Sequence, residues 1–285
     1  LSMSRDDSDI AKSMRSVIIR LWNAYYFFTL YANTDNIKAG LRTDSAHPLD
    51  RFLIGKTSQL VTAVQGHLDR FDIPGAYNAV PAYIEAINNW FIRNRRSAFW
   101  ADSLTEDKQA AYDTLYTSLV YACRALAPLM PFLTEHIYTS LTGEESVHLT
   151  DWPDAAALPV NHDVLAGMDL ARGARSAVLR LRELHRRRVR LPLKKLIIAH
   201  PQAARLQPYV DLIREAVNIV EVELASDASA HGTRTVKVNP KLGARLGSRF
   251  KDVMNAQRSG DWQLTDAGQL EIAGSTLEKE DFELR

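Results

Sequence analysis

Long stretches with helical spacing and no helix breaker constrain this chain most. Residues 9–31 contain neither Pro nor Gly, and their apolar residues recur every three or four positions (Ile10, Met14, Val17, Leu21, Ala24, Phe28). A second apolar stripe runs from Leu49 to Phe71 and stops before Pro74-Gly75, where Pro suits the first turn of the next helix. The pattern therefore predicts long amphipathic helices joined by short loops.

Three further helices follow by the same reasoning. One is predicted from Gly75 to Trp100, and the next runs to Leu126 after Ser103 and Glu106, whose spacing fits a capping box. A shorter helix begins near Pro131 and ends near Gly143, a residue typical of helix C-caps. Five such helices predict an antiparallel helical bundle for residues 1–158.

The period of the apolar residues changes in the last third of the chain. A Pro- and Ala-containing linker precedes an amphipathic helix predicted over residues 162–186. Strand-like runs follow at residues 196–199, 219–224 and 233–238, with helical segments between them and short strands near the end. The fold class predicted is therefore mainly α, with a small α+β domain over residues 159–285.

The sequence lacks the motifs of a self-contained active site. Its eight histidines form no helical metal pair, its one cysteine is Cys123, and no phosphate-binding glycine loop or nucleophile elbow occurs. We therefore predict no catalytic residue and no metal ligand. No apolar run approaches the roughly 18 residues that a membrane span needs, and no secretory signal is recognisable, so we expect a cytoplasmic protein without a membrane partner.

The net charge of +1 hides an asymmetry along the chain. Residues 1–160 carry 14 basic and 18 acidic side chains, whereas residues 161–285 carry 21 and 16. Local basic density decides nucleic-acid binding, so the near-neutral total does not exclude it.

The first basic cluster, residues 88–100, combines arginines with aromatic residues and amides. Guanidinium groups pair with phosphate and stack on bases, and aromatic rings stack on unpaired bases, so this mixture suits a single-stranded RNA loop. The alternative is that the aromatic residues are core anchors and the arginines a solvated face. The candidate RNA contacts are Trp90, Arg93, Asn94, Arg95 and Arg96.

The second basic cluster, residues 172–195, holds ten basic residues and a single acid, Glu183. Adjacent cations repel each other, so their concentration indicates a phosphate-rich partner and salt-dependent binding. The alternative is a solvated helix whose cations pair with acidic neighbours. The candidate phosphate contacts are Arg182, Arg186, Arg187, Arg188, Arg190, Lys194 and Lys195.

Several motifs follow one another along the chain: Leu21-Trp-Asn-Ala-Tyr-Tyr-Phe-Phe-Thr-Leu-Tyr-Ala-Asn33, Leu49-Asp-Arg-Phe52, Asn89-Trp-Phe-Ile-Arg93 with Phe99-Trp100, Ala127-Pro-Leu-Met-Pro-Phe-Leu-Thr-Glu135, Ser146-Val-His-Leu-Thr-Asp-Trp-Pro153, Val189-Arg-Leu-Pro-Leu193 and Val217-Asn218. Their order is that of isoleucyl-tRNA synthetases, and the chain resembles the C-terminal part of that family from about Ser8 to Trp262.

The resemblance implies an anticodon-binding domain whose partner is tRNA(Ile), not DNA. It also implies a catalytic core in the same polypeptide, which would use ATP and Mg²⁺ and carry the HIGH and KMSKS signatures. Neither signature is in this chain, so no cofactor is expected in this part. One departure is local: where the family often has a Gly-containing turn, this sequence has His185-Arg-Arg-Arg188.

Three alternatives remain open at this stage. Trp-Asn together with Asn-Trp-x-x-Arg also resembles the valyl and leucyl enzymes, so the chain could be the equivalent part of one of those. It could also be a free-standing RNA-binding module. A helical scaffold that binds only protein would show no salt-sensitive binding of tRNA.

Overall fold

The computed structural model describes residues 14–227, 235–265 and 268–284. In this part the chain is mainly α, as the sequence predicts. Helices α1 to α6 cover Ile19–Thr34, Pro48–Leu68, Ile73–Glu85, Arg96–Phe99, Glu106–Leu126 and Pro131–Thr142. A π-helical turn, Met14–Ile18, precedes α1, and a second, Ala86–Ile92, continues α3. The start of the predicted first helix lies outside the described residues.

The chain divides into two compact units. The first comprises Leu1–Lys195 and Arg205–Val222, and the second comprises Leu196–Ala204 and Glu223–Arg285. This division differs from the domain boundary expected between residues 158 and 159. That boundary stays a prediction about which parts fold independently.

Helix α2 lies at the centre of the first unit, where it packs against α3 and α5. The α2–α3 pair is antiparallel: Asp50 near the start of α2 contacts Arg95, whereas His67 near its end contacts Asp72. Between these ends the hydroxyl groups of Thr57 and Tyr83 lie 3.3 Å apart in the core. The predicted bundle is therefore present, and large buried side chains fill it (Phe52, Leu53, Ile87, Phe91, Tyr112, Leu115).

Of two helix caps predicted from the local sequence, the C-cap at Gly143 is confirmed and the N-cap at Ser103 is not. Gly143 ends α6 with φ 74°, as its predicted C-cap position requires. The capping box predicted at Ser103 was wrong by two residues. Thr105 is the N-cap of α5, where its hydroxyl accepts from the Lys108 amide at 3.1 Å, so Glu106 becomes the first helical residue.

The helix predicted from Gly75 to Trp100 is not continuous. It passes from α3 into the π-helical turn and is interrupted at Arg95, just before α4. The Asn94 amide donates to the Trp90 carbonyl at 2.7 Å. A π-helical turn takes more residues per turn than an α-helix, which shifts the following side chains around the helix axis. This shift matters because it decides which arginines face the interior.

The rest of the first unit consists of α7, His162–Leu184, and α8, Val210–Val217. Asn161 caps α7 by accepting from the Val164 amide at 2.9 Å. A Cβ atom at Gly167 would lie 2.5 Å from a ring carbon of Tyr209, so only glycine permits this approach of chain segments. Strands β1, Leu193–Ala199, and β2, Ile219–Ala225, pair with each other.

Besides the ends of β1 and β2, the described residues of the second unit form two small antiparallel sheets and two short α-helices. Strand β3, Val236–Val238, pairs with β7, Phe282–Leu284. Strands β4, Trp262–Leu264, β5, Leu270–Ile272, and β6, Ser275–Leu277, form a meander. Helices α9, Gly243–Leu246, and α10, Arg249–Ser259, complete it. Val236, Val253, Leu270 and Leu277 are buried in its core. Part of the strand predicted at 233–238 lies outside the described residues.

Candidate nucleic-acid interface

The aromatic residues of the first basic cluster divide between core and surface. Trp90, Phe91 and Phe99 are buried, and the Trp90 ring nitrogen lies 3.4 Å from the Met168 sulfur. Trp100 is half exposed, with the Arg96 guanidinium stacked over its ring at 4.8 Å from the centroid. Trp90 therefore anchors the core and is not placed to stack on a base, whereas Trp100 is.

Arg95 is also buried, with 4% of its surface exposed. Its Nε atom lies 2.9 Å from Asp50 Oδ1, and it donates to Asp50 Oδ2 at 3.2 Å. It donates as well to the Asp107 carboxylate at 3.0 Å. Burial raises the pKa of the fully buried Asp50 carboxyl although Arg95 opposes this shift, and the hydrogen bond from Arg95 lowers the pKa of Asp107. Arg95 is thus the counter-ion of a buried carboxylate.

The remaining candidates of the first cluster face outward to different degrees. The side chains of Arg93 and Arg96 are exposed, and Asn94 is partly exposed with its amide held by the Trp90 carbonyl. Within the described residues neither Arg93 nor Arg96 forms an ion pair with an acid. The accessible group is therefore Arg93, Arg96 and Trp100. Trp100 was not among the candidates, although the polar residues Asp102 and Ser103 shortly after it were a usable sign of exposure.

Two arginines at the start of the second basic cluster lie against the bundle. Arg172 pairs with Glu85 and with Asp169, and its guanidinium lies over the Phe52 ring at 5.7 Å. Burial and then the charge of Arg93 lower the pKa of Arg175. Arg93 and Arg175 are therefore close enough to repel each other. The fold thus brings the two basic clusters, far apart in sequence, within electrostatic range.

Arg182 is the second buried arginine among the candidates, with 3% of its surface exposed. Its Nη1 atom donates to the carbonyls of Arg188 and Leu191, both at 3.0 Å. Its Nη2 atom donates to the carbonyls of Val217 and Asn218 at 2.8 and 2.9 Å. All four acceptors are neutral backbone groups, so this side chain holds chain segments together and is not placed to contact a phosphate.

The other candidates of the second cluster are exposed. Residues 186–190, which we name the basic turn, contain four of them: Arg186, Arg187, Arg188 and Arg190. The other two, Lys194 and Lys195, lie on β1. Lys195 Nζ lies 3.6 Å from Glu221 Oε1. Arg186 has φ 51°, in the left-handed region that glycine favours. A glycine would occupy this backbone conformation without the strain that an arginine side chain adds.

The part of the chain that the structure describes contains no group of three His, Cys, Asp or Glu side chains that could hold a metal ion. None of its helices is both long and apolar enough to cross a bilayer. Cys123 is buried, and burial raises the pKa of its thiol far above the usual range.

The first unit is thus a helical bundle that carries two exposed arginines and a half-exposed tryptophan in its first basic cluster. The model of the family described as "Anticodon-binding domain of tRNA ligase" matches residues 50–197, a range that includes both basic clusters. The chain belongs to this family.

Relatives with similar sequences are isoleucine–tRNA ligases. The enzyme of Leifsonia xyli is 40% identical over 280 residues, which is 98% of this chain and 25% of the relative. That of Nocardia farcinica is 42% identical over 267 residues, 93% of this chain and 25% of the relative. That of Mycobacterium tuberculosis is 38% identical over 281 residues, 98% and 26%. The chain thus spans about a quarter of the length of the relatives it matches.

Proposed function

We propose that this chain is the tRNA-binding, C-terminal part of an isoleucine–tRNA ligase. It holds the anticodon stem-loop of tRNA(Ile) while the core of the same polypeptide joins isoleucine to the tRNA with ATP and Mg²⁺. The proposal places the activity in the cytoplasm and includes no DNA or membrane partner. Its support is the family match over both basic clusters, together with the relatives' names.

The observation that carries the proposal is the accessible group Arg93, Arg96 and Trp100. Arg96 lies over the half-exposed Trp100 ring, and Arg93, three residues earlier, is a second exposed cation without an ionic partner in the described residues. This combination suits phosphates and unpaired bases of an RNA loop. Arg95 and Trp90 support this surface from the core. The basic turn, Lys194 and Lys195 supply further exposed cations for backbone phosphates.

A filter-binding titration of the whole chain with tRNA(Ile) across a salt series tests the proposal. We expect binding that weakens steeply with salt, and the double variant R93Q/R96Q should reduce the slope of log K against log salt by about 1 to 2. The matched control R70Q/R258Q removes the same charge at exposed positions outside both clusters. Arg70 lies just beyond the end of α2 opposite to the Asp50–Arg95 pair.

Equal slopes for R93Q/R96Q and its control would remove the first cluster from the interface. Salt-insensitive or absent binding by the unaltered chain would contradict the proposal as a whole and favour a protein-binding scaffold. Titrations with tRNA(Val) and tRNA(Leu) separate the isoleucyl assignment from the valyl and leucyl alternatives. A KMSKS-like motif in the reading frame upstream of Leu1 would exclude the free-standing module.

A further inference from the structure

The carbonyl groups at the end of the basic turn accept hydrogen bonds from two side chains, Arg182 and Asn218. Arg182 donates to the carbonyls of Arg188 and Leu191, both at 3.0 Å. Asn218 donates through Nδ2 to the carbonyls of Val189 and Arg190 at 3.0 and 3.1 Å. Four consecutive carbonyl oxygens, those of residues 188–191, are therefore held by two side chains.

Within the described residues, the amide groups of residues 188–190 lack the partners that the carbonyl groups of these residues have. In the described part of the chain, the N–H groups of Arg188, Val189 and Arg190 donate to no acceptor, and all three residues are exposed. The Leu191 amide, in contrast, donates to the Arg188 carbonyl at 3.0 Å. Successive backbone N–H groups without internal acceptors form a concave donor surface that suits an anion.

At residues 188–190 the carbonyl groups are occupied, so the amides are the backbone groups left to bind a ligand. Arg186, Arg187, Arg188 and Arg190 are exposed cations in the same five-residue turn. A carbonyl oxygen turned outward would repel an anion, and Arg182 and Asn218 prevent this. A group with several acceptor oxygens and a negative charge matches such a surface, and a phosphate has both properties.

The residues that hold the turn are themselves fixed. Arg182 stands on α7 and is buried, and it also donates to the carbonyls of Val217 and Asn218. Asn218 ends α8 in the left-handed conformation, with φ 53°, which Asn tolerates better than most residues. The Leu193 amide donates to the Asn218 carbonyl at 3.2 Å, which ties the start of β1 to the same residue.

We propose that the basic turn is a preformed site for one phosphodiester group of the RNA backbone, bound by the amides of Arg188, Val189 and Arg190 and by the surrounding guanidinium groups. Arg182 and Asn218 are positioning residues that shape the site without touching the phosphate. This inference rests on the proposed function, because tRNA supplies the phosphodiester.

The variant N218G tests the shape of the site without changing its charge. Glycine tolerates the left-handed backbone of position 218 but releases the carbonyls of Val189 and Arg190. A flexible patch of charges would bind tRNA(Ile) equally well in this variant. A preformed site should bind roughly fivefold to tenfold more weakly, because the turn must now be ordered on binding.

The matched control is N36G. Asn36 is exposed and also has a left-handed backbone, with φ 52°, so the substitution makes the same change of residue in the same conformation. Its affinity should stay within about twofold of the unaltered chain. Thermal unfolding of both variants shows whether each remains folded at the binding temperature.

A second measurement needs no variant. In the ¹⁵N-valine-labelled chain, the Val189 amide resonance should shift when a synthetic anticodon stem-loop is added, and inorganic phosphate at the same phosphate concentration should leave it unchanged. An unshifted Val189 amide in an RNA-bound chain would overturn the inference, and so would equal binding by N218G and N36G. Both results leave the proposed function intact, whereas absence of tRNA binding by the unaltered chain removes both.

Discussion

Each of the two basic clusters buries one arginine, and the two buried arginines have different partners. Arg95 lies between the Asp50 and Asp107 carboxylates, so it neutralises charge inside the bundle. Arg182 lies among four backbone carbonyls, so it fixes the path of the chain. Neither side chain is therefore available for RNA. Arg95 acts through its charge, whereas Arg182 acts through the geometry of its hydrogen bonds.

The largest effect should come from R95A. Its removal leaves the Asp50 carboxylate buried without a counter-ion, and such a loss typically costs about 3 to 5 kcal/mol of unfolding free energy. Urea unfolding of the variant measures it. R96A is the matched control, because Arg96 is exposed and its removal should change stability by no more than about 0.5 kcal/mol.

The stability lost in R95A should also depend on pH, and the pKa of Asp50 sets the sign of this dependence. Burial raises the pKa of Asp50 in the folded chain, and this shift grows once Arg95 is absent. A carboxyl with a raised folded pKa destabilises the fold when it is ionised and no longer does so when it is protonated in both states. The deficit of R95A should therefore shrink as the pH falls from about 7 to about 5. A deficit that is constant with pH would contradict the counter-ion role.

R182M should lower the free energy of unfolding by less than R95A does, and this loss should not depend on pH. Methionine fills much of the same space but removes the donor that Arg182 supplies to the carbonyls of Leu191 and Val217, for which we expect a loss of about 2 to 3 kcal/mol. None of these carbonyls titrates, so the urea midpoint deficit should be equal at both pH values used for R95A. R180M, an exposed position on the same helix, is the control. A pH-dependent deficit in R182M would erase the difference between the two arginines.

The smallest effect, and one of opposite sign, is expected for R186G. Glycine at this left-handed position should raise the unfolding free energy by about 1 kcal/mol. It also removes one cation, so the salt slope of tRNA(Ile) binding should fall by about 0.7 to 0.9. R187G removes the same charge from a residue without positive φ. If R187G stabilised the chain as much as R186G does, backbone strain at Arg186 would not be the cause.

Local patterns in the sequence predict much of the first unit. The apolar spacing locates α2, α5 and α6, and the glycine at position 143 marks the end of α6. The interruption before α4 was not predicted, because the residues from 75 to 100 all fit a helical stripe. Arg95 lies at the break and pairs with Asp50, which is 45 residues away along the chain, so local spacing does not reveal this contact.

For the candidate RNA contacts, too, local sequence predicts one part and tertiary contacts decide the rest. Sequence alone determined that the chain is mainly α, that arginines concentrate in residues 88–100 and 172–195, and which family the chain resembles, because these properties reside in local spacing, composition and motif order. Only the tertiary structure decided which arginines reach solvent. Arg95 and Arg182 differ from Arg93 and Arg188 in what packs around them, and burial is set by contacts between segments that are far apart along the chain.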